Sequence, residues 1–218
     1  MLSHRILARI FYKPFPGITW QYSASENVVY LTFDDGPYPP VTKPLLEMLN
    51  ALGVPATFFL SGESLFRYRR ELPELDYSPH QVGSHFYRHV SLFFTGPRKL
   101  QKGLRLTDRL ISRYLRRETR FFRPPYGIFN PRHFPTLQEA GKKMVLWSLM
   151  AYDFKWEAGR ILRHLCDSAR PGDIIVFHDS PKTEKVLLEV LPRFIDFCRE
   201  RGWGFGQVNQ DRITSPEI

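Results

Sequence analysis

Short apolar runs alternate along this chain with segments of helical period. The runs are rich in β-branched and aromatic residues, which is typical of strands. Strands are predicted at residues 28–33, 56–60, 81–84, 120–122, 144–147, 174–177 and 204–208, and helices near 41–52, 62–71, 97–117, 131–141, 158–168 and 183–201. Such alternation indicates parallel strands joined by crossover helices. We therefore predict an α/β fold, a distorted (β/α) barrel of about seven parallel strands, with a doubly wound open sheet as the alternative.

No low-complexity linker and no internal repeat interrupts this series, and 218 residues suit a single domain. The main domain is predicted over residues 28–218, with residues 1–27 as an N-terminal segment that packs on it. This segment interleaves basic and apolar residues, and a short amphipathic helix is predicted there. That helix either packs on the domain or lies on a membrane surface; its apolar residues are Ile6, Leu7, Ile10 and Phe11.

Composition excludes several classes of protein. Hydrophobic residues make up 43% of the chain, so disorder and collagen are excluded. The two cysteines, Cys166 and Cys198, are too few for a disulfide framework and lack the spacing of a zinc knuckle. No apolar run reaches the roughly 18 residues that a transmembrane helix needs, and no signal-peptide pattern is present. These features predict a cytoplasmic protein, with peripheral membrane association as the alternative.

The net charge of +9 allows an anionic partner. Part of the basic excess forms a stripe at helical period, in steps of three and four residues: Arg98, Lys102, Arg105, Arg109, Arg113 and Arg116. The plain interpretation is the solvated face of an amphipathic helix, and the alternative is attraction to an anionic polymer or membrane. No nucleic-acid-binding motif is recognised, so a nucleic-acid partner is not expected.

Ionisable residues follow five of the predicted strands or the segments next to them. They are Asp34 and Asp35, His85 and His89, Arg123, Asp153, and His178 with Asp179. The carboxyl ends of parallel strands meet on one rim, which is where barrel enzymes carry their active sites. This joint placement predicts one functional site.

The two histidines His85 and His89 have the spacing of a metal-binding pair. Four residues apart on a helical turn, their side chains would lie on one face and share an ion. Two imidazoles and one carboxylate leave a coordination position open for water, as in catalytic zinc sites. Such a ligand set accepts zinc, cobalt, nickel or manganese.

The adjacent carboxylates of Asp34 and Asp35 suit two different roles. One can bind the ion while the other accepts a proton from water. Their spacing alone does not say which residue has which role.

Five motifs together resemble those of the NodB-homology polysaccharide deacetylases, carbohydrate esterase family 4. In order, they are Thr32-Phe-Asp-Asp-Gly-Pro37, His85-Phe-Tyr-Arg-His89, Arg123-Pro-Pro-Tyr-Gly127, Asp153, and Val176-Phe-His178. The resemblance extends from about residue 28 to residue 208. It implies a distorted (β/α) barrel and metal-dependent hydrolysis that removes acetyl groups from N-acetylated or O-acetylated sugars of an oligo- or polysaccharide. An amidohydrolase for a small acylated molecule and an inactive carbohydrate-binding relic are the alternatives.

The resemblance also implies residue roles at the metal. Asp34 would be the general base, and Asp35 would join His85 and His89 on one divalent ion, with zinc expected before cobalt, nickel or manganese.

Further roles follow from the same resemblance. Arg123 would orient the base, and Tyr126 and Pro125 would contact the acetylated carbohydrate, with the Tyr126 backbone N–H at the oxyanion. His178 would be the general acid, tuned by Asp153.

Four residues differ from those usual in the family. Phe86 stands where Ser or Thr is usual and Val90 where Pro is expected, so we predict that apolar packing holds the metal loop. Met150 and Phe154 stand where Asp and Trp are common. Arg123 is then expected to lack a second carboxylate partner.

Overall fold

The computed structural model describes residues 17–208. The amphipathic helix predicted around residues 6–11 lies outside these residues.

Within residues 17–208 the strands form one parallel sheet. They are β1 Ile18–Thr19, β2 Val28–Asp34, β3 Thr57–Leu60, β4 Gln81–Ser84, β5 Phe121–Phe122, β6 Lys143–Val145, β7 Leu149–Met150, β8 Ile174–His178 and β9 Gly204–Phe205. Their order is β1-β6-β5-β4-β3-β2-β8-β7, and β9 pairs with the start of β2. Strands β2 to β6 add in sequence on one side, whereas β8 and β7 lie on the other side of β2, as in a barrel. The sheet curls into a half-barrel, which confirms the predicted distorted barrel.

Two strands were not predicted, and two were predicted too long by two or three residues. The strand predicted at 204–208 ends at Phe205. Strands β1 and β7 have two residues each, too few for a recognisable pattern. The run predicted as a strand at 144–147 leaves the sheet after Val145. Leu146 and Trp147 stay buried, and the carbonyl oxygen of Leu146 is used in the site described below.

The helices cover the outer face of the sheet. They are α1 Pro39–Ala51, α2 Gly62–Arg67, α3 Pro97–Leu115, α4 Phe134–Glu139, α5 Ala158–Ser168 and α6 Leu187–Glu200. Helix α1 begins before its predicted start because Pro39 and Pro40 fit the first turn, whose N–H groups need no partner within the helix. Helix α6 begins later than predicted, after turns held by Thr183. Among residues 17–208, no helix combines the length with the apolarity that crossing a membrane requires.

The two faces of β2 separate the core from the site. Val29, Leu31 and Phe33 pack into the large cluster beneath the helices. Tyr30 packs into a second cluster on the opposite face of the sheet. Successive strand residues alternate between faces, so Thr32 and Asp34 share the face of Tyr30. The predicted base is therefore positioned inside the curl of the sheet.

Candidate active site

The register of the parallel strands brings the predicted residues to one rim. Asp34 at the end of β2 is the Cα partner of His178 at the end of β8. Ser84, the last residue of β4, pairs with Phe122, the last residue of β5. His85 and Arg123 directly follow these two strands, so their positions also lie at the carboxyl edge of the sheet.

Asp35, His85 and His89 form a candidate metal centre. Each offers one ligand atom, and these atoms lie within 4.8 Å of one another. Asp35 Oδ1 is 3.5 Å from His85 Nε2 and 3.3 Å from His89 Nε2. Zinc with bonds of about 2.0–2.1 Å in tetrahedral geometry separates its ligand atoms by about 3.3 Å, so the donor set fits. Asp35 Oδ1 is also buried and has no hydrogen-bond partner, which a cation would provide.

His85 is held in the form that a metal ligand needs. Its side chain is 2% exposed, and its Nδ1 lies 2.9 Å from the carbonyl oxygen of Arg123. A carbonyl only accepts, so Nδ1 is the donor and Nε2 keeps its lone pair. Burial lowers the pKa of His85 to about 3, although the charge of Asp35 acts in the opposite direction. The imidazole is therefore neutral at physiological pH.

The loop from His85 to His89 is irregular, so the predicted helical turn is wrong. Phe86 adopts a left-handed conformation with φ of 67°, which bends the chain directly after β4. Its ring is buried, and a Cβ atom added at Gly103 of α3 would overlap it. Apolar packing of Phe86 thus helps to hold this loop, as the sequence predicted, but Val90 is exposed and takes no part in it. The backbone N–H groups of Gly62 and Glu63 at the start of α2 also donate to the carbonyl oxygens of Phe86 and Tyr87, at 2.9 and 2.8 Å. The Phe86 ring joins a cluster of Leu92, Leu100, Leu104, Phe122, Leu137 and Met144.

Asp34 is held by a completely buried arginine. Arg123 Nη1 donates to Asp34 Oδ1 at 2.7 Å and to Thr32 Oγ1 at 2.8 Å. The other guanidinium donors bind the carbonyl oxygens of Val145 and Leu146 at 3.2 and 2.9 Å. Burial lowers the pKa of Arg123, an effect that the charge of Asp34 opposes. The pair orients one carboxylate oxygen and leaves the other for chemistry.

The structure confirms the consequence predicted from Met150. Within residues 17–208, Asp34 is the only carboxylate that forms an ion pair with Arg123. The guanidinium also lies 4.1 Å from the ring centre of Phe59 and 5.6 Å from that of Trp147. Aromatic faces and carbonyl oxygens surround this cation in place of a second carboxylate.

His178 is bound twice by Asp153. The ring Nδ1 donates to Asp153 Oδ1 at 2.8 Å, and the backbone N–H donates to Oδ2 at 2.7 Å. Burial alone would lower the pKa of His178. The hydrogen bond and charge of Asp153, with smaller effects of Asp34 and Asp35, raise it to about 9. The imidazolium is thus favoured at neutral pH, and its Nε2 can donate a proton.

Tyr126 and Pro125 lie beside the metal centre. Pro125 is buried in a 3-10 turn, whereas Tyr126 is 58% exposed with φ of 61°. The Tyr126 ring centre is 4.2 Å from that of His89. Across the rim, Phe154 packs edge-on against His178 with ring centres 5.1 Å apart. Two aromatic side chains thus flank the ionisable residues.

Sequence reasoning gave no role to Asp179, which braces the turn after β2. Its carboxyl group is fully buried, and Thr42 Oγ1 of α1 donates to Oδ2 at 2.6 Å. Its backbone N–H donates to the Asp34 carbonyl oxygen at 3.1 Å. A Cβ atom at Gly36 would overlap this carboxyl group, so the turn requires glycine there. The sequence did contain one signal for this role: Asp179 is an acidic residue directly after the end of β8, as Asp35 is after the end of β2.

The family profile described as polysaccharide deacetylase matches residues 21–145, more than half of the chain. The chain belongs to the polysaccharide deacetylase family. This confirms the resemblance that the five motifs indicated.

Two curated deacetylases match most of the chain. A peptidoglycan-N-acetylglucosamine deacetylase of Bacillus cereus is 27% identical over 208 residues, which cover 94% of this chain and 97% of that protein. A chitooligosaccharide deacetylase of Azorhizobium caulinodans is 31% identical over 175 residues, which cover 76% of this chain and 80% of that protein. Deacetylases of two carbohydrate classes are thus similar to this chain.

A solved structure supports the fold. A carbohydrate esterase family 4 pseudoenzyme of Bacillus anthracis superposes with a TM-score of 0.80 and covers 89% of this chain and 68% of that one, at 24% identity. Because a family fold can occur without activity, the function of this deacetylase-family chain depends on its own side chains.

Proposed function

We propose that this chain is a metal-dependent deacetylase that removes acetyl groups from N-acetylated sugars of an oligo- or polysaccharide. The names of the two deacetylases described above support the reaction and the substrate class. The observation that carries the proposal is the buried, unpartnered Asp35 Oδ1, set between two imidazole Nε2 atoms. Asp34, the last residue of β2, directly precedes Asp35, and its carboxylate is bound by Arg123.

One divalent ion would be held by Asp35, His85 and His89, with zinc as the first candidate. Cobalt, nickel and manganese accept the same ligands. Such an ion, when bound, lowers the pKa of a water molecule and polarises a carbonyl oxygen.

Asp34 accepts the proton of the attacking water in this proposal. Its Oδ1 is occupied by Arg123, so the carboxylate is fixed in orientation and Oδ2 is the oxygen left for the proton. A positioned base of this kind contributes typically 10²- to 10⁴-fold to the rate.

His178 donates the proton that the leaving amine needs. Asp153 binds Nδ1, so the proton leaves from Nε2. The same carboxylate stabilises the charged imidazole, which keeps the acid loaded at neutral pH.

Tyr126 and Pro125 contact the sugar or its acetyl group. The backbone N–H of Tyr126 is the proposed donor to the oxyanion, and one such donor is typically worth about 3 kcal/mol. The exposed Tyr126 ring beside His89 offers a face on which a sugar can stack.

The test is acetate release from N-acetylated oligosaccharides, peptidoglycan fragments and acetylated xylan. Chelated protein is assayed with each divalent ion restored in turn. Asp34→Asn should bind the ion as the wild type does and lose at least about 100-fold in rate. The matched control is Asp196→Asn, which changes an exposed aspartate on α6 and should keep full activity.

Three results would contradict the proposal. An Asp34→Asn variant with more than about one tenth of the wild-type rate would remove the base from its role. Stoichiometric metal binding without acetate release from any glycan would favour an amidohydrolase for a small acylated molecule. Absence of metal binding would favour the inactive carbohydrate-binding relic.

A further inference from the structure

Helix α3 presents a continuous basic face to solvent. Its inner face is buried through Leu100, Gly103, Leu104, Thr107 and Ile111. The six residues of the basic face are exposed: Arg98, Lys102, Arg105, Arg109 and Arg113, with Arg116 at the helix end. At about 100° per residue the five within the helix lie in an arc of about 80° opposite the buried face, along about 22 Å of helix axis. The predicted amphipathic helix is confirmed, and its charge is concentrated in one strip.

No acidic side chain neutralises this basic face within residues 17–208. None of its six residues forms an ion pair with another described residue. The one acidic residue of α3 is Asp108, which pairs with the buried Lys142 at 2.7 Å. The basic face therefore presents at least six positive charges that no ion pair within residues 17–208 neutralises.

An apolar rim lies at the N-terminal end of the same helix. It consists of the exposed residues Val90, Phe93, Phe94, Tyr126 and Ile128. Phe94 is 95% exposed, the highest value among the large hydrophobic side chains of the described chain, and its ring contacts that of Phe93.

Two hydrogen bonds join the loops that carry this apolar rim. Asn130 Nδ2 donates to the Phe93 carbonyl oxygen at 3.1 Å, and His133 Nε2 donates to the Thr95 carbonyl oxygen at 2.9 Å. The loop before α3 is thereby attached to the loop that follows Tyr126. The exposed phenylalanines are held in place next to the basic helix.

We propose that the basic face of α3 and the apolar rim together bind an anionic lipid bilayer. Basic side chains are attracted to anionic headgroups, each strengthening binding by roughly fivefold near the surface. Exposed aromatic and aliphatic side chains enter the boundary between headgroups and acyl chains. A soluble polyanion would use the charges but would leave the exposed phenylalanines without a role.

Membrane binding would also place the candidate active site at the bilayer. Tyr126 belongs to the apolar rim, and its ring contacts the ring of His89. The mouth of the site therefore lies beside the surface that would face lipid. This consequence concerns access to substrate, whereas the binding itself does not depend on the proposed hydrolysis.

Vesicle co-sedimentation of the full chain tests the proposal. The vesicles contain either phosphatidylglycerol and phosphatidylcholine in equal parts or phosphatidylcholine alone. We expect binding to the anionic vesicles only, and its loss near 1 M salt, where the Debye length falls to about 3 Å. Changing Arg98, Lys102, Arg105 and Arg109 together to Gln should weaken binding by at least about 100-fold. Phe93→Ser with Phe94→Ser should weaken it by at least tenfold without changing the net charge.

Matched controls separate this surface from a general effect of charge or exposed aromatics. Changing the exposed Arg67, Arg70, Lys182 and Lys185 to Gln removes the same charge, and Phe66→Ser removes another exposed phenylalanine. Both controls should bind like the wild type, as should a chain that lacks residues 1–16.

The proposal is overturned by no binding to anionic vesicles or by an equal loss in the charge control. It is also overturned if the phenylalanine changes have no effect while polyglutamate competes fully, because the basic face would then be a polyanion site. Loss of vesicle binding only on removal of residues 1–16 would assign the contact to that segment. Acetate release from soluble oligosaccharides is measured beside these assays, so failure here is distinct from failure of the proposed hydrolysis.

Discussion

At the scale of single residues, the pKa of His178 depends mainly on one neighbour. Burial would favour the neutral imidazole, and Asp153 reverses this through a hydrogen bond and its charge. Because the folded-state pKa is raised to about 9, the imidazolium is present below that pH and is lost as the pH rises through it. A general acid at this position should therefore keep its proton well above neutral pH.

Asp153→Asn tests this dependence. The amide has no charge, so the pKa of His178 should fall, and the alkaline limb of the kcat/KM profile should move to lower pH by at least about one unit. The measurement is the rate of acetate release across the alkaline range, with the exposed Asp196→Asn as control. An alkaline limb at the wild-type position would show that Asp153 does not tune the acid.

The ionisable residues of the rim could be predicted from sequence because each belongs to a local motif at a strand end. Of the groups that hold them, Arg123 and Asp153 were predicted because they are motif residues themselves, whereas the others could not be. Thr32 and Asp179 acquire their roles through Arg123 and Thr42, which lie 91 and 137 residues away in the chain. The carbonyl oxygen of Leu146 contributes through the backbone, which the residue type does not reveal.

At the scale of elements, the loop after β4 packs against α3 and is hydrogen-bonded to the start of α2. The Phe86 ring occupies space that only glycine leaves at position 103. His85 and His89 flank this ring in sequence, so movement of the loop would separate the ligand atoms. The spacing of His85 and His89 predicted a helical turn here. Phe86 instead has a left-handed φ, and its ring packs against α3, an element that the local spacing does not involve.

Gly103→Ala should therefore weaken metal binding. Alanine favours a helix over glycine by about 1 kcal/mol, but overlap with a buried ring costs typically 1–3 kcal/mol. We expect a loss of at least tenfold in zinc affinity, measured by competition with a chromophoric chelator. Adding Phe86→Leu should restore part of that affinity.

The matched control for this change is Gly159→Ala in α5, where nothing lies within 4 Å of an added Cβ. That variant should bind zinc like the wild type. Unchanged affinity in Gly103→Ala, with the fold retained by circular dichroism, would show that the loop is held by other contacts.

At the scale of the whole molecule, the large pKa shifts of four buried groups make stability depend on pH. Burial lowers the pKa of His80 and His85 to about 4 and 3, and it raises that of Asp179 to about 8. The pKa of His178 is raised to about 9.

The signs of these shifts place the stability maximum of the metal-free chain near pH 6.5. Between about pH 4 and 6.5 the unfolded chain takes up protons on His80 and His85 that the folded chain excludes, whereas folded Asp179 retains one proton that the unfolded chain has released. The net difference of about one proton makes stability fall on acidification. Above about pH 6.5 the folded chain retains protons on His178 and Asp179 that the unfolded chain releases, so stability falls again as the pH rises. Each group adds a slope of at most about 1.4 kcal/mol per pH unit.

Asp179→Asn removes one of the two groups that act above pH 6.5. The free energy of unfolding of the chelated protein should then decline between pH 6.5 and 8 with roughly half the wild-type slope. In this variant only His178 keeps, in the folded chain, a proton that the unfolded chain releases in this pH range. Urea unfolding at several pH values in this range measures both slopes, and Asp196→Asn should leave the slope unchanged. If Asp179→Asn also kept the full slope, the buried carboxyl group would be ionised throughout this range. Its unpartnered Oδ1 would then require a cation or a buried water as its partner.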